Sequence, residues 1–364
     1  MSFPTRLCVL VLVSGALISA TDARAQSSLP PWEVEVHAGG RVVSSDPTGG
    51  TPIVQFPVGD PVATGGGTTF TRAVSSWYFG DGARLLNDVN ARFGVPGRIT
   101  PLDTAVSRAI GERREGAAYG ARVARYLTPR VAVELNVDYA PSKLVFTDGV
   151  AAAIDATRST FIPAWRDLLG TGFTFNTNVT STSAVEDGNG HDITTTGALR
   201  FHFPAYRGVR PYVTGGAGAI VYKGKAPTAT LTGQYSFLFA NTFPINERDV
   251  ATVSLRTKDR VALGLVGGGV EYDFSKRHGL RADARLELHP SRVDTVVSAR
   301  PSVTMQSPAF VIVTGSSPAV QFSNSTLFAR PSSLSGPNVD DLAAFTGKGT
   351  RTRVRVSVGY VVRF

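Results

Sequence analysis

The last fourteen residues restrict this chain more than any other stretch. Thr352, Val354, Val356, Val358, Tyr360, Val362 and Phe364 occupy one parity, and Arg351, Arg353, Arg355, Ser357, Gly359, Val361 and Arg363 the other. A period of two is the signature of a strand whose faces meet different surroundings. The same alternation recurs upstream. Trp32, Val34, Val36 and Ala38 alternate with Glu33, Glu35, His37 and Gly39; Val131 to Tyr139 alternate with Ala132, Glu134, Asn136 and Asp138. Leu199, Phe201 and Phe203 oppose Arg200 and His202; Val266, Val270, Tyr272 and Phe274 oppose Glu271 and Asp273. Leu280, Ala282, Ala284, Leu286 and Leu288 oppose Arg281, Asp283, Arg285, Glu287 and His289. Two Gly- and Ala-rich stretches, Ala117 to Leu127 and Val209 to Tyr222, are strand candidates whose faces composition leaves unassigned. The count is eight strands of about ten residues, the length that a tilted membrane-crossing strand needs.

Connection lengths carry a second signal. Thr128-Pro129-Arg130, Pro204 to Gly208 and Ser275 to His278 are tight turns. The other four connections are long, at about residues 44–115, 141–190, 223–260 and 290–350. Soluble domains seldom carry several structureless connections beyond about fifteen residues. Strict alternation of short and long connections describes a barrel with one trimmed rim and one elaborated rim. The aromatics Trp32, Phe201, Phe203, Tyr272, Phe274, Tyr360 and Phe364 cluster at strand ends beside the short turns, as an interfacial girdle would.

Residues 1–25 read as a secretory signal. Arg6 supplies the charged region, Leu7 to Ala20 an apolar run too short to span a bilayer, and Ala23-Arg24-Ala25 the small residues for cleavage before Gln26. The one cysteine, Cys8, lies inside that run, so residues 26–364 carry no disulfide and no cysteine-bound metal.

At this point the chain resembles bacterial outer-membrane β-barrels of the small OmpA-, OmpX- and OmpW-like group. The resemblance rests on Arg122 to Tyr139, Arg210 to Gly218 and Gly267 to Leu286, and on a C-terminal strand ending in Phe364. It implies an all-β, antiparallel, transmembrane up-and-down barrel in the cell outer membrane. It also implies partners: outer-membrane lipid and lipopolysaccharide, periplasmic chaperones, and the barrel-insertion machinery, with Tyr360 and Phe364 as the insertion signal. The long loops depart from the smallest members of the group. Leu85, Leu86, Val89 and Phe93, and Ile154, Phe161, Trp165, Leu168 and Leu169, form apolar stripes of short loop helices. Phe173 to Ser183 and Thr228 to Phe239 read as extended, with a turn at Asp187-Gly188-Asn189-Gly190, which keeps ten or twelve strands open.

Chemistry is sought in the polar faces. The expected interior carries Glu33, Glu35, Glu134, Asp138, Glu271, Asp273, Asp283 and Glu287 against Arg41, Arg122, Arg200, Arg281, Arg285, Arg351, Arg353, Arg355 and Arg363. An eight-stranded barrel is just wide enough for side chains to fill, and charges cut off from water must pair. The expectation is an ion-pair network closing the lumen, with no catalytic residue, no cofactor and no metal. Glu35 with His37, and Glu287 with His289, have strand spacing for a metal but join the polar interior on this reading. His289-Pro290-Ser291 matches the spacing of a lipid A deacylase pair, without a matching acid.

Net charge over the whole chain is +9, which by itself suggests an acidic partner such as nucleic acid. Placed along the strands, the surplus is split instead between the paired interior, with one extra base, and the short-turn rim, with Arg125, Arg130, Arg207, Arg210, Lys276 and Arg277. The expected function is therefore that of a non-enzymatic barrel with long surface loops, for envelope integrity, adhesion or surface recognition. The alternative is a narrow diffusion channel for small or amphipathic solutes, and the third a lipid A-modifying enzyme.

Overall fold

The computed structural model describes residues 31–43, 50–52, 56, 58–63, 70–172, 174–304, 311–312, 318–322 and 332–364. The expected signal segment lies outside the described residues. Eight strands take up the alternating segments: β1 (Trp32–Val43), β2 (Ala118–Tyr126), β3 (Val131–Phe146), β4 (Asn189–His202), β5 (Val209–Lys225), β6 (Arg260–Asp273), β7 (His278–Ala299) and β8 (Val339–Arg363). Each pairs antiparallel with its sequence neighbours, and β8 returns to β1, so the eight close a ring without an edge. In register, Val36 lies opposite Tyr360 on one side and Ala121 on the other.

Side-chain burial in the ring is the reverse of a soluble barrel. Val356 is 56 % exposed while its neighbour Arg355 is 0 %. Val36, Leu135, Leu199, Val266 and Leu280 likewise point outward, as do the seven expected girdle aromatics. Burial also settles the two Gly- and Ala-rich strands: Arg122 and Ala124 face in while Tyr119 and Val123 face out, and Tyr212 and Thr214 face in while Val213 faces out. An apolar outer belt on a closed antiparallel ring satisfies every backbone polar group internally and needs a hydrocarbon solvent. Val356→Arg, at mid-belt, is accordingly expected to cost about 2–4 kcal/mol, and Val362→Arg, near the rim, about 0–1 kcal/mol. Urea titrations in lipid vesicles read both; equal costs would refute the lipid-facing assignment.

Several strands outrun the belt. β3 continues to Phe146, β5 to Lys225 and β7 to Ala299, and β8 begins at Val339. Three further strands, Thr174–Glu186, Thr228–Phe239 and Phe243–Thr257, add to the upper part of β7 instead of entering the ring. The extended segments read from sequence therefore belong to a curved sheet above the ring, where Ala251 pairs with Ala299 and Leu231 with Ser183.

This sheet, with helices α1 (Gly80–Arg92) and α2 (Asp148–Leu169), makes a cap with its own apolar core. In α1, Leu85, Leu86 and Val89 are buried and Phe93, just past its end, is exposed; in α2, Ile154, Phe161, Trp165, Leu168 and Leu169 are all buried. Trp165 stacks on Tyr235 at 4.1 Å and meets Trp77 edge-on at 5.0 Å. The ring of Phe161 lies so close over Gly233 that a side chain there would collide with it.

Candidate functional site: the charged lumen

Inward positions of the ring strands stack their charges in layers. At the short-turn end, Arg281 bridges Glu33, Glu35 and Glu271, the last at 3.0 Å. Arg200 reaches Glu33 at 2.7 Å, and Arg363 holds Glu271 and, at 2.8 Å, Asp273. One layer up, Arg122 contacts Glu35 at 3.1 Å, while Arg285 holds Glu134 at 2.6 Å and Asp283 at 2.9 Å. Tyr212 donates its hydroxyl to Asp283 at 2.7 Å. Above these, Asp138 receives Arg355, the Nδ2 of Asn136 at 2.5 Å and the Nε2 of His37 at 2.7 Å. The layer beneath the cap joins Arg41 to Asp192 at 2.7 Å, and Arg353 to Glu115 at 2.8 Å and Glu287 at 3.4 Å. Arg351 lies 3.7 Å from Glu115.

Absent side chains make room for this packing. A Cβ on Gly359 would strike the carboxylate of Glu35, and one on Gly120 would come within 2.6 Å of His37 Nε2. The guanidinium-bearing side chains of Arg122, Arg200, Arg281, Arg285, Arg353, Arg355 and Arg363 are no more than 1 % exposed. A water-filled bore would leave them wet.

Every expected lumen residue lies on the inward face, with Asp273 partly exposed at the rim. Three charged members were missed. Asp192 and Arg210 obey the parity of their strands; Asp192 lies one residue before the strand end read for it, and Arg210 lies inside a strand whose faces composition leaves unassigned. Arg210, placed at the short-turn rim from sequence, is instead buried and 3.1 Å from Glu271, because even-numbered positions of β5 face inward. Glu115 ends a short strand, Gly111–Glu115, that pairs with the outer part of β3; nothing in its flanking sequence marks it. With these three, ten carboxylates (Glu33, Glu35, Glu115, Glu134, Asp138, Asp192, Glu271, Asp273, Asp283, Glu287) face ten guanidiniums (Arg41, Arg122, Arg200, Arg210, Arg281, Arg285, Arg351, Arg353, Arg355, Arg363). The other rim cations, Arg125, Arg130, Arg207, Lys276 and Arg277, are exposed.

The two His–Glu pairs are absorbed into this lattice. His37 sits between Glu35 and Asp138, and Glu287 between Arg353 and Arg355, while His289 turns its Nδ1 to the carbonyl of Pro290 at 3.2 Å. Among the described residues no group of three or more His, Asp or Glu side chains is arranged to hold a metal.

Asp249 in the cap has no ion-pair partner among the described residues. Asp249 is fully buried, accepting from Ser76 Oγ at 2.9 Å and the Trp77 amide at 2.6 Å, with its second oxygen unbonded. Burial away from water pushes its pKa up to about 7, against the pull of those hydrogen bonds. The folded cap thus keeps a proton that the unfolded chain releases near 3.8. Its stabilising contribution is full below about pH 4, declines as pH rises to about 7, and is flat above. Tryptophan fluorescence of the cap across this range should show that decline, and Asp249→Asn should abolish it; a stability that climbs with pH and is unchanged by Asp249→Asn would refute the assignment.

No protein-family model matches the sequence, and no curated protein does. Solved structures that align with it include outer membrane protein AlkL in lipid bilayers, at 10 % identity, covering 95 % of this chain and 98 % of that one, with a TM-score of 0.31. The outer membrane protease OmpT from Escherichia coli aligns at 8 % identity over 93 % and 99 %, with a TM-score of 0.26. An outer membrane channel from Pseudomonas putida F1 aligns at 9 % over 94 % and 99 %, with a TM-score of 0.21. By its closed antiparallel ring, apolar outer belt and charged interior, this chain has the fold of a bacterial outer-membrane β-barrel.

Proposed function

We propose that the protein is a non-enzymatic β-barrel of the outer membrane that crosses it with the eight ring strands. Ion pairs close its lumen, and it presents the cap at the cell surface for envelope integrity, adhesion or recognition. The observation that carries this reading is the inaccessibility of the lumen guanidiniums to water, each already engaged with carboxylates. Both described ends of the ring, Trp32 and Phe364, lie at the short-turn rim, which is the periplasmic side in barrels of this kind. There the exposed aromatics meet the headgroups, and Arg125, Arg130, Arg207, Lys276 and Arg277 meet anionic lipid. Tyr360 and Phe364, outward on β8, are the residues offered to the insertion machinery.

Planar-bilayer recording tests the closed lumen. Purified protein is expected to give no steady single-channel steps, and such steps would replace this reading with the narrow diffusion channel. Lipid A mass spectra with and without expression test the enzyme alternative, and the expected result is identical spectra.

A further inference from the structure

The ring wall opens between β5 and β6 just beyond the apolar belt. Their ladder ends where Val221 pairs with Arg260, and pairing resumes only at Thr228 with Ser254. Between them the one backbone bond described is from the Tyr222 amide to the Asp259 carbonyl, at 2.8 Å. The gap is a cleft of about 180 Å³ with cationic side chains from Arg113, Lys223, Lys225 and Arg256, and one lining carboxylate, Asp259. Arg113, Tyr222 and Thr257 also line a smaller lobe that adds Lys258, Arg292 and Arg351.

Two observations point to a ligand. Tyr222 lines both lobes and is only 9 % exposed, and its hydroxyl has no hydrogen-bond partner among the described residues. A buried hydroxyl without a partner is costly, and an acceptor oxygen in the cleft would satisfy it. Arg113 stacks over the Tyr222 ring at 3.9 Å and bonds Ser142 and Thr257 at 3.3 and 3.2 Å, so its guanidinium is held at the floor. The cleft also lies level with a band of outward cations that ends the apolar belt: Lys143 on β3, Lys223 on β5, Arg260 on β6, Arg292 on β7 and Lys348 on β8. Arg292 and Lys348 are directly opposite each other on one face, a like-charge pairing that an intervening anion relieves. Glu186, Asp341 and Asp294 neutralise Lys225, Arg256 and Arg292 in part, leaving the lining cationic.

We propose that this cleft is a binding site for a phosphoryl group, gripped by Arg113, Lys223 and Lys225 and by the Tyr222 hydroxyl. At the level of the outer headgroups, that chemistry comes either from a phosphorylated lipid such as lipid A or from free phosphate. Compact anions suit ammonium groups, and a planar guanidinium fixes two of the oxygens. The site does not depend on whether the lumen conducts.

The test uses the full chain folded in a phosphate-free maltoside detergent. Native mass spectrometry compares bis-phosphorylated lipid A with enzymatically dephosphorylated lipid A, and calorimetry titrates inorganic phosphate alone. Lys223→Gln with Lys225→Gln, both exposed at the mouth, should weaken binding about tenfold, the scale of one charge-assisted hydrogen bond, with the heat-modifiable mobility unchanged. Tyr222→Phe should weaken it by a smaller factor. Selective retention of phosphorylated lipid A assigns the site to a headgroup; saturable binding of inorganic phosphate that the double substitution reduces assigns it to the free anion. Equal binding of both lipids with no phosphate uptake, or binding that the double substitution leaves unchanged, overturns the proposal.

Discussion

Replacing Arg281 with methionine is expected to cost the folded barrel about 3–5 kcal/mol. Among the described residues, its guanidinium alone touches Glu33, Glu35 and Glu271 together, on β1 and β6, from its place on β7. Glu33 keeps Arg200 and Arg363, Glu35 keeps Arg122, and Glu271 keeps Arg210 and Arg363, so each of the three loses one of its cations. Methionine fills much of the space and offers no charge, so the penalty is that of carboxylates left in a dry interior. Urea titration in vesicles, with heat-modifiable mobility as readout, measures it. Adding Glu35→Gln to Arg281→Met should recover roughly 1–3 kcal/mol, since neutralising the carboxylate left with Arg122 alone removes part of the cost. A cost below about 1 kcal/mol for Arg281→Met would show that water enters the lumen, and with it the closed-lumen reading would fall.

A loss of similar size, at the other end of the molecule, should follow Trp165→Ala: about 3–5 kcal/mol, read from the cap alone. Trp165 is fully buried on α2, stacked on Tyr235 and flanked edge-on by Trp77 and by Phe322 at 5.7 Å. It joins the helix to the sheet. Its indole nitrogen has no partner among the described residues, so the substitution strands no hydrogen-bond acceptor and the loss is packing. Beneath it, Trp77 donates to the Tyr235 hydroxyl at 3.0 Å, and Tyr235 to Glu247 at 2.5 Å, a chain that the cavity would loosen. Limited proteolysis should find the cap cleaved while the barrel keeps its mobility shift. Simultaneous loss of both would mean that cap and ring unfold as one unit.

How far the sequence is readable depends on which solvent each segment meets. The ring strands lie between hydrocarbon and a polar filling, and that contrast prints a period of two, clear enough to assign Val356 and Arg355 to opposite faces. The Gly- and Ala-rich parts of β2 and β5 lack it because small residues fit either side. The cap is bounded by water outside and an apolar core inside, so its strands carry mixed patterns. Phe173 to Ser183 and Thr228 to Phe239 were recognisably extended, but whether they entered the ring was not recoverable from their residues. The mixed patterns also blur strand ends, which hides Asp192, while Arg210 falls in the Gly- and Ala-rich β5, where parity is unreadable. Glu115 is a different case: its position follows from the pairing of Gly111–Glu115 with residues 142–146, a long-range match that leaves no local trace.

The cap is assembled from every long connection of the ring. Trp77 comes from between β1 and β2, Trp165 from between β3 and β4, Tyr235 from between β5 and β6, and Phe322 from between β7 and β8. None of these pieces has a core of its own, and their partners are separated by scores of residues along the chain. The order of assembly is thereby constrained: the four connections stay apart until the ring forms, and the cap's core condenses only after the strands beneath have drawn their ends together. Closing the β1–β8 seam is then the event that commits the cap as well as the barrel.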